Sequence, residues 1–363
     1  MIKVVESKII DKPLFSIGIT TYNRIEMLRQ LVNSIINQDF QDFEIIIGND
    51  YQKELLTFDI LGIYDQRIRI INHQENLGEL GNMNFLLSEG KGRYFTWQFD
   101  DDLCGLGYLR ESYLALNKFN FPSCVLSSYS YVYGSGIVKF KKVKKVEPEL
   151  FSGRTCVRNF LSGGLRVSIL AAFYDIQFLR QAGGAHRFSK GHIALYSEFF
   201  LLFQVGLLPR VAYINSPLTL IRIHGGSFSS SARELELHKD AGINLIRESM
   251  AIFAHSVMRD DFQKNLSSLL KSVICNVIVK SEKKRDGDQK LNISEYILLL
   301  KNEIESLKKL GLNEEGLKSI ENARKHIIFF IIKSRVKALI PDEYLKLVRL
   351  LASFVSPFTN KSF

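Results

Sequence analysis

The sequence predicts an α/β fold, in which a mostly parallel sheet carries helices on both faces and a helical C-terminal region follows. Two observations predict the sheet: the first hundred residues contain four short apolar runs, and segments with apolar residues at helical spacing separate them. The third observation is a change near Ala232, after which glycine and proline are scarce and Leu, Ile, Lys and Glu recur at helical spacing. We therefore expect a large domain over residues 1–232 and a helical region over residues 233–363.

The four apolar runs are short and largely β-branched or aromatic, which favours buried strands. They are Phe15 to Thr20, Phe43 to Gly48, Ile68 to Ile71 and Tyr94 to Phe99. After the first run, Asn23 is a candidate N-cap for a helix with apolar residues at helical spacing from Leu28 to Ile35. A second helix is expected over residues 79–89, shortly before the fourth strand.

Composition favours a cytoplasmic protein that is soluble or peripheral. Apolar residues make up 46% of the chain and charged residues 24%, and the formal net charge of +10 favours an acidic partner. The four cysteines form no C-x-x-C pair and no disulfide-like framework, which is typical of a reducing compartment. The charged N-terminus lacks the apolar core of a signal peptide, and no run approaches the roughly 20 apolar residues that span a bilayer.

Acidic residues follow two of the predicted strands. Asp50 closes the second strand, and Asp100, Asp101 and Asp102 close the fourth. Because ligands bind beyond the carboxyl ends of parallel strands, both groups are expected to line one crevice. Three adjacent carboxylates repel one another unless a cation compensates, and Mg²⁺ or Mn²⁺ would do so while bridging to substrate phosphates. The structural alternative is a solvated acidic turn.

Four motifs stand in a fixed order along the first hundred residues: SIGITTYNR, IIIGND, ENLGELGNMN and RYFTWQFDDD. In this order and spacing the chain resembles the inverting family 2 glycosyltransferases of the GT-A fold, of the bacterial surface-polysaccharide type. The resemblance is close over residues 14–103 and looser over 150–230. It implies a GT-A domain over 1–232, with a nucleotide-binding half at about 14–103 and an acceptor half at about 104–232.

The resemblance implies metal-dependent, inverting transfer of a sugar from a nucleoside-diphosphate sugar, in most such enzymes a UDP-sugar. The acceptor would be a hydroxyl of a glycan or lipid-linked glycan. Tyr22 falls where the family packs a loop against the base, and Asp50 falls on the second acidic position of D-D-x-S, with Asn49 before it. The full set of implied donor-binding residues is Thr20, Tyr22, Arg24, Asp50, Asn76, Gly78, Asn84, Asp100, Arg222 and His224.

The resemblance also implies a site for Mn²⁺ or Mg²⁺. Phe99 replaces the first Asp of the usual D-x-D-D, so Asp101 becomes the principal metal ligand, with Asp102 beside it. Arg222 and His224 stand in the segment IRIHGG, which in similar enzymes closes over the diphosphate, and His224 is a further candidate ligand. A lone histidine is, however, more often structural than a ligand.

Inverting transfer needs a base that takes the proton of the attacking hydroxyl. Glu198 matches the family's catalytic carboxylate, although Ser197 replaces the usual acidic neighbour. A Glu in the first turn of a helix can equally be a favourable helix charge. Glu79, Glu89 and Glu111 are weaker candidates for the base.

Basic and apolar residues are interleaved in the C-terminal segment. From Arg324 onward eight Lys or Arg stand against two acids, interleaved with Ile, Leu, Val and Phe. Such a basic amphipathic helix can lie on an anionic membrane, which would suit a lipid-linked acceptor at the inner face of the plasma membrane. The alternative is a helix packed on the rest of the protein, with solvated lysines.

Other functions fit the sequence less well. The loop after the first strand lacks the G-x-G-x-x-G of dinucleotide-dependent oxidoreductases, and no P-loop motif occurs. The chain has no recognised nucleic-acid-binding motif, and the adjacent aspartates would repel phosphates unless a metal intervened. Glycoside hydrolysis uses two carboxylates flanking the bond rather than a metal-linked cluster. A non-catalytic relative that binds a nucleotide-sugar remains as an alternative.

Overall fold

The computed structural model describes residues 3–5, 12–134, 136, 146–190, 194–225, 235–283, 302, 305–309 and 311–339. Within these residues ten strands form one sheet. The strands are β1 (Lys3–Val5), β2 (Phe15–Thr21), β3 (Phe43–Asn49), β4 (Ile68–Asn72), β5 (Tyr94–Phe99), β6 (Leu103–Cys104), β7 (Cys124–Tyr133), β8 (Glu149–Phe151), β9 (Ala172–Asp175) and β10 (Val211–Ile223). The helices are α1 (Ile25–Ile36), α2 (Phe58–Leu61), α3 (Gly78–Glu89), α4 (Tyr108–Lys118), α5 (Gly153–Leu161), α6 (Ile176–Gln181), α7 (Ser197–Val205), α8 (Leu235–Phe253), α9 (Arg259–Lys283) and α10 (Glu314–Leu339).

The first half of the sheet is parallel and matches the sequence prediction. Strands β4, β3, β2 and β5 lie side by side in this order, and all three pairings between them are parallel. Each predicted strand agrees with the observed strand to within one residue at both ends. The α/β class with a mostly parallel central sheet is therefore confirmed.

The second half of the sheet was not predicted in detail. Strand β9 joins the two halves by pairing antiparallel with both β5 and β7. Strand β10 then runs parallel to β7, and the short β6 pairs antiparallel with the end of β10. This last pairing brings the segment that follows β5 next to the carboxyl end of β10.

Apolar side chains cover both faces of the parallel strands because alternate residues of a strand point to opposite sides. Ile17 and Ile45 belong to the core beneath α1, whereas Phe95 and Trp97 belong to the core beneath α3. The indole nitrogen of Trp97 donates a hydrogen bond to the carbonyl of Met83, at 2.9 Å, which ties α3 to the sheet.

The start of α1 differs from the prediction. The N-cap is Arg24 rather than Asn23, and it makes no side-chain capping bond. Asn23 instead adopts a left-handed conformation, with φ of 54°, in the loop between β2 and α1. Asparagine tolerates this conformation better than most residues, because its short side chain can bond locally.

The helical C-terminal region is confirmed, and its first helices pack on α5 and α7. Phe203 of α7 contacts Phe253 of α8 and Phe262 of α9, with ring centroids 6.3 and 5.4 Å apart. Ile320 and Ile327 of α10 are buried in the same core. Residues 340–363, the second half of the predicted basic tail, lie outside the described residues. In the part of the chain that the structure describes, no helix is long and apolar enough to cross a bilayer.

Candidate functional site

A cavity of about 950 Å³ opens at the carboxyl ends of the parallel strands. The cavity is lined by the ends of β2, β3 and β5, the first turns of α3 and α7, the end of β10 and a short 3₁₀ turn. The sequence predicts a crevice at this edge of the sheet, because ligands bind beyond the carboxyl ends of parallel strands. The predicted site residues that line it are Thr20, Tyr22, Arg24, Asp50, Asn76, Gly78, Asp100, Asp101, Asp102, Glu198 and Arg222.

Asp100 is buried and organises the loop after β2. Its carboxylate accepts hydrogen bonds from the Thr21 hydroxyl at 2.8 Å, the Tyr22 backbone N–H at 3.3 Å and the Arg24 guanidinium at 3.0 Å. Burial raises the pKa of Asp100, and the Arg24 charge and the Thr21 hydrogen bond partly oppose this. Asp100 therefore fixes the loop that carries Tyr22, which is a positioning role.

Asp101 is the carboxylate of the cluster that faces a second candidate ligand. Its Oδ2 lies 3.0 Å from Nε2 of His224 and 3.2 Å from the Arg24 guanidinium. The side chains of Asp101 and His224 are 14% and 9% exposed. Within the described residues, no three His, Cys, Asp or Glu side chains are arranged to hold a metal by themselves. Two protein ligands nevertheless fit Mg²⁺ or Mn²⁺, which commonly take their other ligands from phosphates and water.

Asp102 lines the cavity and also contacts β10, and its role as a metal ligand stays a prediction. It is buried, and its Oδ1 accepts the backbone N–H of Arg222 at 2.8 Å. Burial, together with the charge of Asp101, raises the pKa of Asp102 well above its usual value. The contact fastens β10 to the acidic cluster, so Asp102 acts as a structural link between the two halves of the sheet.

Arg222, which is predicted to bind the donor, lines the cavity and contacts α1. Its guanidinium donates to the Gln30 side chain at 2.8 Å and to the Gly136 carbonyl at 3.1 Å, and the residue is only 3% exposed. These contacts hold the guanidinium beside α1, and binding of the donor by Arg222 stays a prediction. Arg222 therefore holds β10 against α1.

One part of the cavity is built around the turn into α3. Asp50 accepts the backbone N–H of Leu77, and Asn76 accepts that of Gly78, both at 2.8 Å. Gly78 has a φ of 69°, which glycine adopts without strain. Tyr22 is 52% exposed at the mouth of the cavity, with its ring edge-on to that of Tyr51 at 5.3 Å.

Asn84 does not line this cavity, and its predicted contact with the donor stays a prediction. Its side-chain amide donates to the Ala185 carbonyl and accepts the Ala185 N–H, at 2.9 and 2.8 Å, and so joins α3 to the loop after α6. Asn82, two residues earlier on α3, lines the cavity. It bonds His73 at 3.0 Å and the Gly48 carbonyl at 2.8 Å. Helical spacing within ENLGELGNMN could have distinguished the two asparagines, because they face different sides of α3.

Two glutamates face the cavity from the first turns of α3 and α7. Glu198 is exposed to the cavity, but the protein around its carboxyl removes part of its hydration and raises its pKa. Burial, and then the charge of Glu198, raises the pKa of Glu79 to about 7. Ser197 accepts the backbone N–H of His186 at 2.8 Å, so it anchors a loop beside Glu198. The pair forms a site in which one carboxyl can hold a proton near neutral pH.

Sequence reasoning missed several cavity residues that come from distant segments. Tyr131 comes from β7, Ser168 from the 3₁₀ turn Ile169–Ala171, for which it is the N-cap, and His238 from α8. Tyr196, directly before α7, lines the cavity with a left-handed φ of 61°. No local pattern marks these residues, since only the tertiary fold brings them to the strand ends.

The molecule is an α/β protein in which the carboxyl ends of parallel strands meet an acidic cavity, where ligands of such sheets commonly bind. Residues 16–155 match the sequence model of glycosyl transferase family 2. Residues 16–155 are therefore similar to the family 2 glycosyl transferases, in agreement with the resemblance of the motifs.

Two relatives that match part of this chain are named as glycosyltransferases. An uncharacterized glycosyltransferase of Haemophilus influenzae is 32% identical over 108 residues, which cover 29% of this chain and 33% of the relative. The GalNAc(5)-diNAcBac-PP-undecaprenol beta-1,3-glucosyltransferase of Campylobacter jejuni is 28% identical over 130 residues, which cover 35% of this chain and 39% of the relative. The matched segments thus span well under half of either relative.

A solved structure extends the likeness over most of the fold. The crystal structure of Staphylococcus aureus TarS 1–349 in complex with UDP-GlcNAc matches with a TM-score of 0.58 at 15% identity. The match covers 88% of this chain and 92% of that one. At this identity the likeness concerns the fold, and it confirms the predicted GT-A architecture.

Proposed function

We propose that the protein is a metal-dependent, inverting glycosyltransferase that takes a sugar from a nucleoside-diphosphate sugar. The observation that carries the proposal is the pairing of Asp101 with His224 beside the strand-end cavity, at 3.0 Å. The similarity of residues 16–155 to family 2 supports the reaction class. UDP is the proposed nucleotide, since the structurally similar TarS fragment was crystallised with UDP-GlcNAc.

The donor nucleotide is proposed to lie between Tyr22 and the turn into α3. Tyr22 offers an exposed ring against which a base can stack, and Asp50 and Asn76 hold the neighbouring backbone in place. Asp50 is also the proposed contact to the uracil or ribose. Thr20 and Gly78 line the same part of the cavity, where the absence of a side chain on Gly78 leaves room for the ligand.

Asp101 and His224 would hold the divalent ion, with phosphate oxygens of the donor and water as its other ligands. When bound, such an ion supplies positive charge that stabilises the departing nucleoside diphosphate. Arg24 lies within 3.2 Å of Asp101 and adds a fixed positive charge to the same region. The Asp101 carboxylate therefore lies between a guanidinium and an imidazole, where it can orient both toward the diphosphate.

Glu198 is proposed as the base that accepts the proton of the acceptor hydroxyl. It faces the cavity from the first turn of α7, across from the acidic cluster. Its raised pKa brings it closer to neutral pH, which improves a general base. The charge of Glu198 raises the pKa of Glu79. Glu79 is therefore a proposed partner in holding that proton.

The proposed acceptor is a hydroxyl of a glycan or of a lipid-linked glycan. The Campylobacter jejuni relative is named for an undecaprenol-diphosphate-linked acceptor. A lipid-linked acceptor would place the protein at the cytoplasmic face of a membrane, with the basic C-terminal helix as the proposed contact.

A panel of nucleotide-sugars tests the proposal. We expect the full chain to hydrolyse or transfer from one UDP-sugar in the presence of Mn²⁺, with release of UDP, and to lose this activity in EDTA. Binding of a nucleotide-sugar without any turnover on an acceptor panel would indicate the non-catalytic alternative. Absence of both binding and turnover across the panel would overturn the proposal.

A further inference from the structure

Three tyrosines stand at alternate positions of β7 and so share one face of the sheet: Tyr129, Tyr131 and Tyr133. Tyr131 is 45% exposed and Tyr133 is 80% exposed. Soluble proteins seldom place neighbouring large aromatic rings in water, and such rows commonly mark a binding surface. We call these three residues the tyrosine row.

The tyrosine row continues the cavity outward. Tyr131 lines the cavity, and the register of β10 on β7 places Ile221 beside Tyr131 and Ile223 beside Tyr133. Both isoleucines line the cavity as well. Paired residues of neighbouring strands lie on the same face, so an apolar and aromatic strip leads from the catalytic space along β7.

Two rings of the row, those of Tyr129 and Tyr131, are packed before any ligand binds. Tyr129 and Tyr131 meet edge to face, with centroids 5.4 Å apart and planes at 78°. The guanidinium of Arg166 lies over both, at 4.9 and 5.9 Å from the ring centroids. Arg166 is itself exposed, so it brings hydrogen-bond donors to the side of the row. A preorganised surface loses less conformational freedom on binding.

The chemistry of this strip suits a chain of sugars. One face of a pyranose ring is apolar and packs on an aromatic ring, while its hydroxyls bond to water or to a guanidinium. Alternate residues of a strand lie about 6.6 Å apart, which is close to the spacing of linked sugar rings. The carboxylates at the cavity, including Asp101 and Glu198, oppose a nucleic acid, which would also stack on aromatic rings.

We propose that the tyrosine row is an extended acceptor subsite, which binds the sugars of an oligosaccharide behind the one that receives the transferred group. This rests on the proposed function, because it uses the cavity as the place of transfer. The row selects for acceptors of several sugars over single sugars. The proposed acceptor is therefore an oligosaccharide.

Binding to an immobilised array of bacterial oligosaccharides, one to six sugars long, tests the subsite. We expect the full chain to be retained more strongly by members of three or more sugars than by single sugars. Tyr131→Ala and Tyr133→Ala should each weaken this retention about tenfold, as the loss of one stacked ring implies. Tyr64→Ala is the matched control, since Tyr64 is 72% exposed and does not line the cavity.

The outcomes separate this inference from the proposed function. Equal retention of Tyr133→Ala and the unchanged protein would overturn the subsite, as would no preference for longer oligosaccharides or no retention on the array. UDP binding in the presence of Mn²⁺ is measured on the same samples. If the unchanged protein fails to bind UDP, the proposed function is lost, whereas loss of the length preference alone concerns only the tyrosine row. Thermal unfolding midpoints verify that each variant is folded.

Discussion

At the scale of single residues, Arg24 explains how adjacent carboxylates can share one turn. A single guanidinium nitrogen lies 3.0 Å from Asp100 and 3.2 Å from Asp101. This charge and the hydrogen bond from Thr21 partly offset the burial and repulsion that raise the pKa of Asp100. Asp101 remains the carboxylate directed at His224, whereas Asp100 and Asp102 fasten the loop and β10.

Replacing the proposed base tests its role. Glu198→Gln keeps the size of the side chain but cannot accept a proton as a carboxylate does. We expect kcat to fall by about 100-fold or more, while the affinity for the UDP-sugar changes less than about threefold. Steady-state kinetics and donor titration measure the two effects.

Glu111→Gln is the matched control for that experiment, because Glu111 lies on α4 and does not line the cavity. It should leave both quantities unchanged. A Glu198→Gln protein that loses donor affinity but keeps its turnover would remove Glu198 from the role of base.

Glu79 predicts a dependence of stability on pH. Its pKa is about 7 in the folded protein against a usual 4.5, because burial and the charge of Glu198 disfavour the carboxylate. Between these values the folded state keeps the proton that the unfolded state has lost, so stability falls as pH rises through the window. Asp101 acts in the same direction as Glu198, and Arg24 opposes both.

Glu79→Gln should therefore gain stability over the unchanged protein as the pH rises from about 4.5 to 7. We expect a relative gain on the order of 1–2 kcal/mol, since Glu79 is partly exposed and water reduces the effect. Urea unfolding in EDTA at several pH values measures it. A difference that stays constant with pH would show that the Glu79 pKa is not raised.

The sequence could place the residues that adjoin predicted strand ends. Asp50, Asp100 and Asp101 directly follow or end strands, so topology alone brings them to the crevice. Tyr131 and His238 could not be found in this way. One lies far along β7 and the other on α8, and their arrival at the cavity depends on long-range packing.

At the scale of elements, the parallel strands were predictable because each is a short apolar run bounded by polar residues. Strand β9 was not, since its four residues, Ala172–Asp175, gain strand geometry from pairing with β5 and β7 on either side. Its insertion decides how the strands that begin with β7 join the parallel strands β2 to β5. The proposed boundary at residue 232 stays a prediction.

Gly92, in the turn before β5, lies close against the backbone of β2. A Cβ at Gly92 would lie 2.6 Å from the Ser16 backbone nitrogen and 2.8 Å from the Phe15 carbonyl carbon, both of β2. Backbone atoms within a sheet cannot yield cheaply, so Gly92→Ala should destabilise the protein by about 1–3 kcal/mol. Urea unfolding measures the loss. Gly136→Ala is the control, because among the described residues a Cβ there meets no atom within 4 Å. Equal stability of the two variants would contradict the packing.

At the scale of the whole molecule, the helical C-terminal region takes part in the cavity. His238 of α8 is buried, lines the cavity and has its ring 6.4 Å from that of Tyr196. Since α8 also packs on α7 through Phe203 and Phe253, this region supports the helix that carries Glu198. We therefore do not expect residues 1–232 to be catalytically active without the helical region.

The outer face of α10 tests the membrane proposal. Arg324, Lys325 and Phe329 are exposed on it, while Ile327 is buried against the other helices. We expect the protein to co-sediment with vesicles rich in phosphatidylglycerol, and the double variant Arg324→Glu, Lys325→Glu to bind them at least about tenfold more weakly. Phosphatidylcholine vesicles are the control. Equal binding of both proteins would favour the packed-helix alternative for α10.

The most direct test of the central claim is a titration of UDP into the protein with and without Mn²⁺. The Asp101 and His224 pair predicts that Mn²⁺ strengthens UDP binding by about tenfold or more, and that Asp101→Asn abolishes this gain while leaving the thermal unfolding midpoint close to that of the unchanged protein. UDP binding of equal strength in Mn²⁺ and in EDTA, or an undiminished gain in Asp101→Asn, would contradict a metal-held diphosphate at the strand ends.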